Sequence, residues 1–267
     1  IKDDFNAVDI AGEASTDVMI KNSDNGTNYI EYYDTDGLTN HAEIVDGVLT
    51  FRCEDKRTHH PTISLGFGQD TTTVVYLAEK EYQAIQVTTA SGNIDYRYSY
   101  KPNTEPAGNS AFTSLKTNSG DISIADIEAN TLTTKTSSGN ISISNSSFTT
   151  LLELHASSGD ILLNRTAAGQ AEFYTTSGYV SASELSANTS LTCNTASGDV
   201  DMNIADAEAI DISAMSGYID LELDSDRSYS FSANTQSGNI DIPHGANDSE
   251  YECGVTTTSG DIRIRQE

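Results

Sequence analysis

Asp201, Asp220 and Asp241 are the residues of this sequence whose types and spacing most invite chemistry. They recur 19 and 21 residues apart, each four residues after the serine of a Ser-Gly pair (Ser197, Ser216, Ser237), with Asp199 and Glu222 close by. If that recurrence stacks them on neighbouring strands, the carboxylates repel unless water or a cation bridges them. An oxygen-rich set of this kind (Asp199, Asp201, Asp220, Glu222, Asp241) suits Ca²⁺. The plainer expectation is a solvated acidic face. Tyr179 and Tyr218 each follow a Ser-Gly pair directly, and exposed aromatics of this kind favour contact with a partner or a sugar. Weaker candidates are Asp34–Gly37, which starts like a calcium loop but lacks the later ligands, and Cys53 with His59 and His60, which are metal-capable types. His41, His155 and His244 are isolated in sequence, so spacing builds neither a Ser-His-Asp nor a Cys-His arrangement.

The elements that must position these residues come from a repeat. Ser-Gly recurs at Ser91, Ser119, Ser138, Ser158, Ser177, Ser197, Ser216, Ser237 and Ser259, at intervals of 19 to 22 residues after a first one of 28. Three and five residues after each later serine the column is apolar, as in Ile122/Ile124, Ile141/Ile143, Ile161/Leu163, Val200/Met202 and Ile262/Ile264. Two residues before it stands Thr or Ala, and the positions four and six before are mostly apolar. Spacings of two on both sides of the glycine describe a strand, a tight corner and a second strand, each with one face inward. Glycine is expected to supply backbone freedom at the corner, and the serine is expected to turn inward because it is small. A two-strand unit of this length cannot bury its inner face alone, whereas stacked units can. The fold class is therefore all-β, a parallel β-solenoid (single-stranded β-helix) with coils of about 20 residues. A β-sandwich would not require the same residue types at matching positions in every unit.

Residues 85–267 form the regular part, with an inserted loop over 98–110 that carries Pro102, Pro106 and Gly108. Residues 1–84 lack the Ser-Gly spacing but alternate, with Leu49, Phe51 and Cys53 inward. They read as irregular N-terminal coils or a cap, continuous with the same core and needed because a terminal coil exposes strand edges.

Composition removes other classes. Forty Asp and Glu against fourteen Lys and Arg give a net charge of −26. Such a chain repels phosphate backbones and anionic lipid, so nucleic acid and peripheral membrane docking are excluded as partners. No apolar run approaches the ~20 residues needed to span a bilayer. The three cysteines, Cys53, Cys193 and Cys253, cannot form a disulfide framework and read as small buried hydrophobes.

Three stretches then carry a resemblance: Thr117-Asn118-Ser119-Gly120-Asp121-Ile122, Thr136-Ser137-Ser138-Gly139-Asn140-Ile141 and Thr257-Thr258-Ser259-Gly260-Asp261-Ile262. Each resembles the repeated T-x-S-G-D-I unit of the bacterial putative-adhesin family, a domain of unknown function, and Val74–Ile94 resembles the strand that leads into its first repeat. Tyr179 and Tyr218 depart from the unit by replacing Asp. The resemblance implies a bacterial cell-surface or envelope protein, often membrane-anchored, with no catalytic residues to carry over. The expected function is a non-catalytic module that binds a wall or matrix glycan or a surface protein. It would be held at the cell surface by an anchor outside this sequence, with no cofactor beyond a possible Ca²⁺. Two alternatives are an envelope-sensing ectodomain with a membrane-protein partner and a polysaccharide-active enzyme. The enzyme would need two carboxylates about 5–9.5 Å apart in a cleft, a distance Asp201 and Asp220 could meet.

Overall fold

The computed structural model describes residues 4–12, 16–34, 37–56, 72–97, 110–223, 227–245 and 249–266. The expected loop over 98–110 falls outside them except for Ser110, as do His59 and His60 and the middle of Asp34–Gly37. Every regular element among the described residues is a strand. The N-terminal strands are β1 (Ala7–Gly12), β2 (Val18–Asn22), β3 (Tyr29–Glu31), β4 (Leu38–Val45), β5 (Val48–Asp55), β6 (Thr73–Leu77), β7 (Tyr82–Thr89) and β8 (Ile94–Arg97). The central ones are β9 (Ser110–Thr117), β10 (Ile122–Ala125), β11 (Glu128–Thr136), β12 (Ile141–Ala156), β13 (Ile161–Thr175), β14 (Val180–Ser197) and β15 (Val200–Ser216). Then come β16 (Ile219–Leu223), β17 (Tyr229–Ser237), β18 (Ile240–Asp241), β19 (Tyr251–Ser259) and β20 (Ile262–Gln266).

These strands stack in parallel, coil on coil, so the solenoid read from the repeat is the observed architecture. Ile122, Ile141, Ile161, Val180, Val200, Ile219 and Ile262 stand in register as one continuous, fully buried column. Leu132, Leu152, Ala171, Leu191, Ile210 and Cys253 form another. Burying each such Ile or Leu contributes about 1.5–3 kcal/mol, and no coil could gain it without its neighbours. All three cysteines are buried free thiols within this core.

Glycine is needed at the corner because of close stacking, and for most of the ladder backbone freedom is not the reason. A Cβ on Gly120 would lie 2.0 Å from the carbonyl oxygen of Gly92, one on Gly139 1.9 Å from that of Gly120, and one on Gly159 1.8 Å from that of Gly139. Only Gly217 and Gly260 of this ladder also have positive φ. The expected inward serine is corrected too: Ser119, Ser138 and Ser158 are exposed, and the buried residue is the threonine or alanine two before. Thr117 and Thr136 accept a hydrogen bond from the glycine N–H three residues on, at 3.1 and 3.0 Å. Each donates its own to the corner carbonyl of the preceding coil, at 3.0 and 3.2 Å. The threonine thus closes its own corner and fastens it to the layer below.

Spatial order departs from chain order at both ends. β1 pairs with β5 on one side and β7 on the other, and β2 pairs with β6 and β8, so the first coil of the chain lies between two later ones. At the other end β19 lies between β15 and β17, and β20 between β16 and β18. The Ser216 corner is therefore followed in space by the Ser259 corner and only then by that of Ser237: Gly217 N–H donates to Ser259 O and Gly260 N–H to Ser237 O, both at 3.0 Å. Strands near a chain terminus usually fray. Here they have a neighbour on each side, which satisfies both edges. The free edges of β5 and β6 are covered by antiparallel β4 and β3.

Candidate functional site

The residues singled out by type lie on the outer face that follows the Ser-Gly corner. Its first column is the residue after the corner glycine (Asp17, after Thr16, in the first coil of the chain), and the side chains there form a ladder to the backbone. Oδ1 of Asp17, Asn93, Asp121, Asn140 and Asp160 accepts from the amide of the next coil's equivalent residue, at 2.7 to 2.9 Å. The short Asx side chain is selected because it reaches an N–H that parallel pairing leaves over at the corner. The Tyr179 amide donates in this way to Asp160 and the Tyr218 amide to Asp199, each at 2.8 Å, but neither tyrosine side chain offers the next coil's amide an Asx oxygen. Their hydroxyls go outward to the second column instead, Tyr179 donating to Asp201 Oδ2 at 2.9 Å and Tyr218 meeting Asp220 Oδ2 at 3.5 Å. Burial, and then the hydrogen bond to Asp201, raises the Tyr179 hydroxyl pKa above the usual phenol value.

The second column corrects the acidic ladder. Asp201 and Asp220 are register partners, but the next residue is Arg263, and Asp241 lies beyond it. In the third column Glu222 faces Arg265. Arg265 Nη2 lies 3.1 Å from Asp220 Oδ1 and 3.4 Å from Glu222 Oε2, so a guanidinium occupies the place assigned to Ca²⁺. Asp199 is on the first column and spends an oxygen on the Tyr218 amide. Among the described residues no group of three or more His, Cys, Asp or Glu is arranged to hold a metal ion. The sequence reading missed Arg263 and Arg265 because it stacked coils in chain order.

A second outer face, on the strands that lead into the corner, also escaped it. His155, isolated by spacing, stacks its ring on Tyr174 with centroids 4.7 Å apart and planes at 10°. His155 Nε2 lies 2.8 Å from Glu153 Oε1, the Tyr174 hydroxyl donates to Glu172 Oε2 at 2.9 Å, and Thr133 donates to Glu153 Oε2 at 3.3 Å. The hydrogen bond to Glu172, reinforced by burial, raises the Tyr174 pKa. The signal available was the recurrence of polar residues one before the inward Thr/Ala column.

Comparison with known proteins follows the fold. The model of the Toastrack DUF4097 family matches residues 5–265. No curated protein matches. A crystal structure of a putative adhesin from Bacteroides fragilis is similar at 14% identity and TM-score 0.49, over 98% of this chain and 93% of that one. A putative cell adhesion protein from Clostridium sporogenes is similar at 11% identity and TM-score 0.24, over 98% and 91% of the two chains. With a family match over nearly its whole length and the repeated corner stacked as described, the chain belongs to the Toastrack DUF4097 family.

Proposed function

We propose that this chain is a non-catalytic recognition rod of the bacterial cell surface, binding an envelope or matrix ligand through an outer strand face. The observation that carries the reading is the network Tyr179–Asp201 and Tyr218–Asp220–Arg265–Glu222. It is a polar, aromatic surface whose side chains are held by one another on a stacked backbone rather than on a mobile loop. Carboxylate and guanidinium groups beside a phenol are suited to hydrogen-bonding hydroxylated or peptide ligands. Surface attachment fits the family resemblance. No helix among the described residues is long and apolar enough to cross a membrane, so any anchor of that kind would lie outside them.

The test is binding of the purified chain to an array of glycans, wall polymers and matrix proteins, with and without EDTA. Reproducible binding to one class, weakened by Tyr179→Ala with Tyr218→Ala and unaffected by EDTA, is expected because Arg265 already pairs with Asp220 and Glu222. Silence across the array overturns the reading.

A further inference from the structure

The repeat is cut off at one end of the rod. In coil after coil the first residue of the second strand donates its N–H to the carbonyl of the residue after glycine in the next coil. Ile94 does so to Asp121, Ile122 to Asn140, Val200 to Tyr218 and Ile262 to Asn239, at 2.8 to 2.9 Å. Ile240 is next in this series, and among the described residues no strand lies beyond it: β17 pairs only with β19, and β18 only with β20. The core columns stop there too. Ile219 and Ile262 are buried, whereas Ile240, which follows them, is 44% exposed. Phe231 and Ala233 are half-buried, although Cys253 and Val255 beneath them are fully buried. Gly245 folds back over the start of β17, where an added Cβ would stand 2.9 Å from the Phe231 nitrogen, so the open stretch runs from Ala233 to Ile240.

Exposed strand edges are ordinarily blunted by charge, proline or a bulge. β17 has none of these: no charged residue, no proline and no register shift against β19. Of the 40 acidic residues none lies between Tyr229 and Ile240, and Asp241, the one carboxylate of β18, has Arg263 as its register partner. The opposite end is built differently, because antiparallel β4 and β3 cover it and bring Glu43 and Glu31. What fits the open end is an edge that adds strands without adding charge, and β17 of a second copy is such an edge. Two rods joined end to end also hold their acidic side walls apart, so the net charge of −26 opposes this contact less than a side-by-side one.

We propose that two copies of the chain meet head to head at this end, about a two-fold axis across the rod, with the outer edges of their β17 strands paired antiparallel. Opposite residues of an antiparallel pair share a face, so Ala233 stands across from Ala233 or Thr235 of the second copy and the inward column continues from one rod into the other. The contact covers Ile240 and leaves the Tyr179–Tyr218 face of each rod open. It goes beyond the recognition reading and does not depend on it.

The experiment is sedimentation equilibrium of the full chain over a roughly hundredfold concentration range, at two salt concentrations. Asn234→Lys with Gln236→Lys puts charge beside the open edge, and Thr39→Lys with His41→Lys does the same on β4 at the other end. All four side chains are exposed, and thermal unfolding checks that each variant folds. The wild type should reach twice its 28.6 kDa and stop there, because a two-fold contact closes on itself. Added salt should strengthen the dimer by screening the side walls. The β17 variant should need about tenfold or more higher concentration to dimerise, and the β4 variant should match the wild type. A wild type that stays monomeric throughout overturns the proposal and leaves the edge to a different protein. Growth beyond two copies, or equal weakening by the β4 variant, overturns it in favour of head-to-tail stacking. A dimer that the β17 variant leaves intact, or that salt weakens, overturns it as well. No ligand enters the measurement, so its failure and that of the recognition reading are told apart.

Discussion

Arg265 Nη2 lies 3.1 Å from Asp220 Oδ1 although 45 residues of chain separate them. The contact exists because β20 runs directly beside β16, ahead of the coil that precedes it in sequence. That placement interrupts the acidic column, which runs Asp201–Asp220–Arg263–Asp241, and sets Arg265 against Asp220 and Glu222 beside Tyr218.

Removing those cations should expose the acidic column. Arg265 is about two-fifths exposed, so Arg265→Gln alone costs at most about 1 kcal/mol, and less at high salt. Arg263→Gln with Arg265→Gln should create a protein whose melting temperature rises on adding Ca²⁺, while the wild type's does not. Thermal unfolding with Ca²⁺ and with EDTA reads the difference.

Gly159→Ala should be among the most damaging single changes, since its Cβ would meet the Gly139 carbonyl oxygen at 1.8 Å and backbone must move. We expect a loss of about 3 kcal/mol or more. Gly254→Ala, whose nearest atom would be 3.8 Å away, should change stability by less than about 1 kcal/mol. Denaturant midpoints of the two variants test the contrast.

Two threonines two residues apart should respond oppositely to the same substitution. Thr136→Val orphans the Gly139 N–H and the Gly120 carbonyl and should cost about 1–3 kcal/mol. The fold should survive, because Ala156 and Ala214 occupy the same column. Thr134 is buried with no partner for its hydroxyl, so Thr134→Val should be neutral or stabilising by about 1 kcal/mol. Chemical unfolding of both variants decides it.

Burial pushes the Cys193 and Cys253 thiols up to about 12 from an ordinary 9.0. Between those values the unfolded chain loses the thiol protons and the folded one keeps them. The folded state's advantage is therefore full below pH 9 and lost as pH rises towards 12, at about 1.4 kcal/mol per pH unit for each thiol. Stability measured from pH 8.5 to 11 should fall with that sign, and the slope should flatten in Cys193→Ala with Cys253→Ala. Native protein should also resist alkylation at pH 8.5 and label fully once unfolded.

How much of this was legible follows from the repeat itself. The inward Ile and Leu columns, the corner and the parallel stacking are local properties of each unit, so periodicity exposes them. The order of the units is different. The Thr257–Ile262 corner carries the same Ser, Gly and Ile as its neighbours and fits between the Ser216 and Ser237 coils as well as beyond them, so nothing local marks its place. The pairing of Arg265 with Asp220 and Glu222 depends on that order alone. Ser119 was misassigned for a smaller reason: it and Thr117 are both small hydroxyl residues, and only the carbonyl of Gly92 beneath the corner decides that Thr117 alone turns inward. The stacking of His155 on Tyr174 was hidden because the two lie 19 residues apart on an outer face, where the polar residues vary from coil to coil.

The order of the last coils carries the account of the site, and cysteine cross-linking tests it most directly. Register partners in parallel strands stand close enough for a disulfide, whereas residues two coils apart, separated by about 9.6 Å, do not. Asp220→Cys with Arg263→Cys should form an intramolecular disulfide on mild oxidation, seen by mass spectrometry of the monomer, and Asp220→Cys with Asp241→Cys should not. Cross-linking of 220 to 241 in preference to 263 would contradict the account.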